Sequence, residues 1–211
     1  MGVIPMLSET LLDASRDLAS KLSELLVSPT NGELTRIRVS HLACSVSLEH
    51  GHATRMLLVA SLVPSGLVVL RAQYEAVVRA VWAMYAATEA QVEKLGATLD
   101  VQAEQAAKNL PQVSDMLTAL AVTAPPAPYQ ALANFKDSSW KALSSYAHAG
   151  LHPLQRHEAG HPLQLVEQVL KNSNGLSIVA GMQAAVLTGS RELVRKVGAL
   201  QVTHHTCLPS R

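Results

Sequence analysis

Apolar residues recur every three to four positions along most of this chain, a spacing that predicts amphipathic α-helices. A first helix is expected after Ser8, whose side chain suits an N-cap, and a second helix over about 33–62. The most apolar helix is predicted at Leu67–Tyr85, after a short connection at 63–66. Because that connection is so short, the second and third helices should be antiparallel neighbours.

The second predicted helix should bury one stripe of residues that share a helical face. The spacing assigns this stripe to five positions: Ile37, His41, Cys44, Leu48 and Val59. The charged residues of this helix, Arg55 among them, are expected to point away from the stripe. His41 is therefore interpreted as a core histidine.

Beyond residue 88, turn-forming residues divide the pattern into shorter segments. Helices are predicted at about 89–99, 100–120 with a bend at Pro111, 129–135, 139–147, 163–170, 176–187 and 191–200. The proline-rich stretch 123–128 is predicted to be linker-like, and 149–162 to be an ordered loop. The expected fold is an all-α single-domain bundle of about seven to nine helices. Residues 1–211 are predicted to form one domain, with an N-terminal helix and linker at 1–31 and a frayed tail at 201–211.

Composition narrows the functional classes. Aromatic residues make up only 3% of the chain and the net charge is +1, so no global attraction to nucleic acid is expected. No signal peptide is predicted, and the longest apolar run, Met56–Leu70, is interrupted and too short to span a bilayer. Cys44 and Cys207 are far apart and fit free thiols. These features predict a soluble cytoplasmic protein without a membrane partner.

The central helix carries an unusual row of charges. Arg71, Glu75 and Arg79 recur every four residues beside four large apolar side chains: Leu70, Tyr74, Val78 and Trp82. Partial burial is expected for this row, and buried charges are costly unless they are paired. Glu75 can serve both arginines, yet the row remains net positive. The segment 144–161 is expected to fold over this row, and a carboxylate such as Glu49, the histidine-rich segment or an anionic ligand should complete it.

The segment around His157 matches a zinc-protease pattern in its letters. His157-Glu158-Ala159-Gly160-His161 reads as HExxH, a motif that needs both histidines on one face of a continuous helix. Pro162 follows directly and prevents a helix from running on through His161. A zinc-protease site is therefore not expected.

A broader metal site would use four imidazoles within 148–161: His148, His152, His157 and His161. Cysteine is absent nearby and carboxylates are sparse, so hydrogen-bonding histidines are the favoured interpretation over zinc ligands. No cofactor is expected.

Three strings carry a resemblance to a known family. LRAQYEAVVRAVW at 70–82, SSYAHAGLHPLQRH at 144–157 and KNSNGL at 171–176 resemble an uncharacterised bacterial family, a domain of unknown function. The resemblance covers roughly 36–200 and is most specific at nine positions: Arg71, Glu75, Arg79, Trp82, Tyr146, His148, Gly150, Arg156 and Asn172. It implies a helical fold and no established activity.

Arg156 and His161 also match the RxxxxH signature of the HEPN superfamily, all-helical proteins that include metal-independent RNases of toxin and phage-defence systems. This resemblance implies that Arg156 stabilises phosphate charge and that His161 transfers protons. Arg36 and His41 have the same spacing, although the core interpretation of His41 is favoured there.

Two functional hypotheses follow from the sequence. The first is a HEPN-like endoribonuclease in which Arg156 and His161 are catalytic and Arg71 or Arg79 lies near the phosphate. RNA and a cognate antitoxin are its expected partners, and binding roles are assigned to six residues: Arg71, Glu75, Arg79, His148, His152 and His157. The second is a non-enzymatic module whose charged row is structural or holds a small anion. A homodimer is expected, because small residues near Gly181 suit close helix packing.

Overall fold

The computed structural model describes residues 7–26 and 34–210, which form ten α-helices and one 3₁₀ turn and contain no strand. The all-α class is confirmed, whereas the helix count exceeds the predicted seven to nine. The helices are α1 Glu9–Leu25, α2 Thr35–Val59, α3 Val63–Tyr85, α4 Glu89–Gly96, α5 Val101–Ala107, α6 Val113–Thr123, α7 Pro126–Ala147, α8 Leu151–Ala159, α9 Leu163–Leu187 and α10 Arg191–Thr203. The 3₁₀ turn is His205–Cys207.

Helices α2 and α3 are antiparallel, as their short connection predicts. Ser40 Oγ donates to the carbonyl oxygen of Ala80 at 2.8 Å, and Ser47 Oγ donates to that of Gln73 at 3.1 Å. The connection is shorter than predicted because α3 already begins at Val63, with Pro64 in its first turn. Proline is favoured there because its fixed φ suits a helix and its missing N–H would have no helical partner.

The buried side of α2 is rotated relative to the predicted stripe. Its seam is built from small and polar residues as well as aliphatic ones: Val39, Ser40, Cys44, Ser47, Gly51, Thr54, Arg55 and Leu58. Val59 is 50% exposed, and Arg55 is only 9% exposed. The predictions for Val59 and Arg55 were wrong. The hydroxyl groups of Ser40 and Ser47 bond to the backbone of α3 and let small polar residues form the seam, and Arg55 is buried against Ser15 of α1.

Helix α3 is the centre of the bundle. It packs against α2, α6, α7 and α9, and its largest buried side chains are those of Trp82 and Tyr74. Full burial of a large apolar side chain contributes roughly 1.5–3 kcal/mol. Neighbouring helices therefore hold α3 in place on several sides. They also determine the contacts of its partly exposed charged side chains.

Helix α9 continues through 172–175, where a break was predicted. Ser173 Oγ donates to Gln73 Oε1 at 2.7 Å, and Gln73 Nε2 donates back to the Ser173 carbonyl at 2.9 Å. Asn174 accepts from Ser15 Oγ at 2.8 Å and donates to the Cys207 carbonyl at 2.9 Å. These polar residues are thus hydrogen-bonded to other elements instead of ending the helix.

Two segments predicted as irregular are helical. The proline-rich stretch contains the start of α7, which runs unbroken through 126–147 where two short helices were expected. The predicted loop at 149–162 contains α8, which ends at Ala159 with Gly160 at a φ of 84°. Prolines in the first turns of α7 and α8 begin helices here; they do not interrupt them.

The C-terminal segment is folded against the bundle, in contrast to the expected frayed tail. His204 is 5% exposed and hydrogen-bonds through Nε2 to Asp17 Oδ2 at 2.8 Å. Cys207 is fully buried, and its carbonyl oxygen accepts the bond from Asn174. Contacts with α1 and α9 therefore order residues up to 210.

The small residues of α9 are used inside the chain. A Cβ at Gly181 would lie 2.8 Å from Leu22 Cδ2, so the glycine allows α1 to approach α9 closely. Gly181 is therefore used for packing between α9 and α1 within the chain. Among the described helices, none is both long enough and apolar enough to cross a membrane.

Candidate functional site

The charged row of α3 is partly buried, as predicted, and within the described residues Arg71 is paired and Arg79 is not. Arg71 Nε donates to Glu75 Oε1 at 2.8 Å, and the guanidinium carbon of Arg71 lies 4.4 Å from the ring centre of Trp140. These two contacts hold Arg71 by charge pairing and by cation–π attraction. Glu75 makes no corresponding bond to Arg79 in the described part of the chain.

Aromatic side chains of α7 cover this part of α3. Tyr74 stacks on Phe135 with ring centres 4.6 Å apart and meets the edge of Trp140 at 5.8 Å. The Tyr74 hydroxyl donates to the Leu132 carbonyl at 2.9 Å, and burial raises the pKa of this phenol. Tyr74 is therefore a neutral packing residue that positions α7 over Arg71.

Two guanidinium donors of the row are left without a partner. Arg71 Nη1 and Arg79 Nε are buried, and neither has a hydrogen-bond acceptor among residues 7–26 and 34–210. No carboxylate of those residues forms an ion pair with Arg79, and the exposed Glu49 does not complete the row. Buried unsatisfied donors are rare and costly, each losing about 1–3 kcal/mol. The row thus keeps the net positive charge that its sequence predicts.

The histidine-rich segment forms a second polar group, around Tyr146. The ring of Tyr146 lies 6.4 Å from that of His152 and 6.5 Å from that of His161. Burial lowers the pKa of His161, and the charges of Arg156 and His157 lower it further. Burial also raises the pKa of Tyr146, although Arg156 opposes that shift.

His161 is the member of this group with the clearest chemical potential. Its Nε2 atom is buried and has no hydrogen-bond partner within the described ranges. A lowered pKa keeps the imidazole neutral near pH 7, which is the form that can accept a proton. Arg156 is partly buried and near enough to shift the pKa of His161. The positive charge of Arg156 therefore disfavours protonation of the His161 imidazole.

The remaining histidines of the segment are solvent-facing. His148, His152 and His157 are exposed, and no side-chain hydrogen bond of theirs occurs in the described chain. Since α8 ends at Ala159, His157 and His161 do not share a continuous helix, and the HExxH letters lack the geometry of a zinc protease. No group of three or more potential metal ligands lies together among residues 7–26 and 34–210.

The two polar groups are separate. The segment 144–161 was expected to fold over the charged row, but α8 packs on α7 and Trp140 is what covers Arg71. No hydrogen bond, ion pair or ring contact joins Arg156 or His161 to Arg71 or Arg79 in the described residues.

Arg36 has a structural role that sequence reasoning missed. Its guanidinium donates to the carbonyl oxygens of Ala83 at 2.6 Å and Ala87 at 2.8 Å, and it pairs with Glu89 at 2.6 Å. A cation at these carbonyls stabilises the C-terminal end of α3. The RxxxxH spacing of Arg36 and His41 therefore does not define a second catalytic pair.

Arg55 is a further residue whose place was mispredicted. Cys44, Leu48, Gly51 and Arg55 are separated by four, three and four residues, so they share one helical face. That spacing was a usable signal, outweighed by the general expectation that arginine points outward. The structure buries Arg55 at the junction of α1 and α2.

The molecule is thus an all-helical bundle organised around a buried helix with an incompletely paired charged row. A family model described as a family of unknown function (DUF6988) matches residues 44–210, so the chain belongs to that family. No curated protein and no solved structure matches the chain. The family assignment confirms the resemblance to an uncharacterised family and brings no activity with it.

Proposed function

We propose that this protein is a non-enzymatic helical binding module that holds an anionic group at the charged row of α3. The observation that carries the proposal is the pair of buried donors, Arg71 Nη1 and Arg79 Nε, that have no partner among the described residues. Residues 71 and 79 lie two turns apart, about 12 Å along the helix axis. Long arginine side chains can close much of that distance around one bound group.

The surroundings fit a phosphate or carboxylate group. Trp140 and Glu75 hold the Arg71 guanidinium in a fixed orientation, which reduces the entropy lost on binding. Arg79 provides the uncompensated positive charge. Arginine donors in a partly desolvated setting are well suited to both anions.

Calorimetric titration with inorganic phosphate and pyrophosphate tests this proposal. Arg79→Gln should weaken binding of the tighter probe about tenfold or more, because it removes the free guanidinium. Arg195→Gln is the matched control, since Arg195 is exposed on α10 and its loss changes the net charge equally. Absence of binding to the unmodified protein, or equal loss in both variants, would overturn the proposal.

A second candidate, favoured by the geometry of His161, is a HEPN-like metal-independent endoribonuclease of the toxin or phage-defence type. His161 is a partly buried, neutral imidazole whose buried Nε2 has no partner among the described residues, and Arg156 places a positive charge near it; these two groups suit proton transfer next to a phosphate. On this proposal RNA is the substrate, a cognate antitoxin is the partner, and the protein acts in the cytoplasm, with a homodimer as the working assembly.

Two measurements distinguish the second candidate from the first. One is RNA cleavage by the protein in the presence of EDTA, and the other is the growth of cells in which its expression is induced. Arg156→Ala and His161→Ala should each abolish RNA cleavage and relieve toxicity. Arg79→Gln should leave RNA cleavage intact, because proton transfer does not depend on Arg79. Equal growth of cells expressing the unmodified protein and the two variants would exclude the nuclease.

A further inference from the structure

A cavity of about 510 Å³ lies between α1, α2 and α9, away from both polar groups described above. Its floor is formed by buried residues, among them Leu22, Cys44 and Arg55. Exposed residues form its rim: Ser23, Ser45 and His52. The volume lies within the range of small-molecule sites, and the open rim gives a ligand access.

Arg55 has an unusual environment for a buried charge. It is 9% exposed, and its guanidinium bonds within residues 7–26 and 34–210 are long: Nη1 with the carbonyl and hydroxyl oxygens of Ser15, each at 3.4 Å, and Nη2 with Nδ1 of His52 at 3.2 Å. Within the described ranges, no carboxylate forms an ion pair with it. A guanidinium does not lose its proton in a protein, so the positive charge persists on the floor of the cavity.

The positive charge of Arg16 acts on the buried Arg55. Burial lowers the pKa of the Arg55 guanidinium and the charge of Arg16 lowers it further, whereas Cys207 opposes this shift. Arg16 is itself paired with Asp13 at 3.0 Å, so this carboxylate serves Arg16. An incompletely compensated buried charge is costly, and a bound anion would remove much of that cost.

The walls of the cavity specify the rest of the ligand. The apolar residues that line the cavity are Ala19, Leu22, Leu26, Leu48 and Ala184. Burial raises the pKa of the Cys44 thiol to about 12, which keeps it protonated and unsuited to covalent attachment. The cavity therefore offers one fixed cation at its floor and aliphatic surface around it.

We propose that this cavity binds a small amphiphilic carboxylate, with its head group on Arg55 and its aliphatic body against Leu22 and Leu48. The planar fork of a guanidinium matches the two oxygens of a carboxylate, and a single arginine balances a single negative charge. This site is independent of the charged row on α3, so either can fail without affecting the other.

Calorimetry with sodium octanoate tests the site, with two partial ligands as controls. Octan-1-ol has the same chain length without the charge, and acetate has the charge without the chain. Octanoate should bind the unmodified protein at least about tenfold more tightly than either partial ligand, since both halves of the site contribute. No binding of octanoate, or equal binding of octan-1-ol, would overturn the proposal.

Variants locate the binding on the protein. Arg55→Gln should reduce octanoate affinity about tenfold or more by removing the only guanidinium on the floor. If that variant does not fold, Ser45→Trp provides the test, because Ser45 is exposed at the rim and the indole would obstruct entry. Ser20→Trp on the exposed face of α1 is the matched control.

The expected pattern is loss of octanoate binding in Arg55→Gln and Ser45→Trp, with full binding in Ser20→Trp and in Arg79→Gln. Circular dichroism melting should give a native transition for each variant that is compared. Octanoate binding that persists in a folded Ser45→Trp variant, or that is lost equally in Ser20→Trp, would contradict the assigned site. Loss in Arg79→Gln would place the carboxylate on α3 instead.

Discussion

Arg71 Nε donates to Glu75 Oε1 at 2.8 Å, one turn along α3, and this bond leaves Arg79 without a carboxylate in the described chain. Glu75 thus balances one of the two arginines of the row. Trp140 covers the paired arginine, so the two positive charges have different environments. The effect of Glu75 on anion binding follows from this asymmetry.

Glu75→Gln should strengthen phosphate binding about threefold to tenfold, because it removes the only negative charge of the row. The free energy of unfolding should fall by no more than about 1 kcal/mol, since a partly exposed pair on one helix contributes little. Calorimetry and urea unfolding measure the two effects. Weaker phosphate binding in this variant would show that the orientation of Arg71 by Glu75 matters more for binding than the negative charge that is removed.

Asn174 joins three parts of the fold and should be far more important for stability than Asn172. Asn174→Ala removes the bonds to Ser15 and to the Cys207 carbonyl and leaves both groups buried, so unfolding should become easier by about 2–3 kcal/mol. In the described chain, the Asn172 side chain accepts a hydrogen bond from Gln168 on the surface of the same helix. Asn172→Ala should therefore lower the free energy of unfolding by less than about 0.5 kcal/mol. Urea unfolding of the two variants provides the comparison, and equal losses would contradict it.

The sequence was sufficient for the helical class, the antiparallel pair and the central position of α3. Hydrophobic spacing carried these predictions, and long periodic segments such as Leu67–Tyr85 are where that signal is strongest. Helix ends were predicted well where a capping side chain stood in place. Ser8 accepts from the Leu11 amide, and Asp100 accepts from the Ala103 amide.

Predictions failed where tertiary partners satisfied polar residues. Asn172–Gly175 looks like a helix terminator, yet Asn174 and Ser173 find acceptors and donors on α1, α3 and the C-terminal segment. Arg55 was predicted to face solvent because arginine usually does, and its buried contacts with Ser15 and His52 could not be seen in the sequence. Such long-range pairings have no local signature in one sequence.

The charged row was the most informative functional signal, and half of its environment could be predicted. Burial beside apolar neighbours and net positive charge follow from the four-residue spacing alone. The residue that covers Arg71 could not be predicted in this way, because Trp140 reaches Arg71 only when α7 is one continuous helix. The predicted contact between this row and His161 depended on a loop that is instead helix α8.

Gly51 should resist substitution, whereas Gly198 should tolerate it. A Cβ at Gly51 would lie 2.6 Å from Ser177 Oγ and 2.8 Å from Gln73 Nε2, and those atoms are fixed by hydrogen bonds. Gly51→Ala should therefore lower the free energy of unfolding by about 1–3 kcal/mol despite better helix propensity. At Gly198 the nearest atom is Met182 Cε at 3.8 Å, so Gly198→Ala should stabilise the fold by about 0.5–1 kcal/mol. A gain at Gly51 would mean that the α2–α9 contact can relax.

The histidine group should make stability depend on pH through His161. Burial first, and then the charges of Arg156 and His157, lower the pKa of His161 below its usual value of 6.5. As pH falls, the unfolded chain therefore binds this proton before the folded protein does. The contribution of His161 to the free energy of unfolding should be complete above about pH 6.5 and should decrease as pH drops toward the folded-state pKa.

Chemical denaturation at a series of pH values between 5 and 8 measures that dependence, and His161→Gln should remove the part that arises from this residue. Arg156→Gln provides the complementary variant, because removing that charge should raise the pKa of His161, as observed by NMR titration of the imidazole. His161→Gln removes the whole contribution of the imidazole, whereas Arg156→Gln removes only the part of the pKa shift that the Arg156 charge causes and leaves the larger part, caused by burial. An imidazole pKa that does not move in Arg156→Gln would separate the two residues and would also remove the main support for the nuclease candidate.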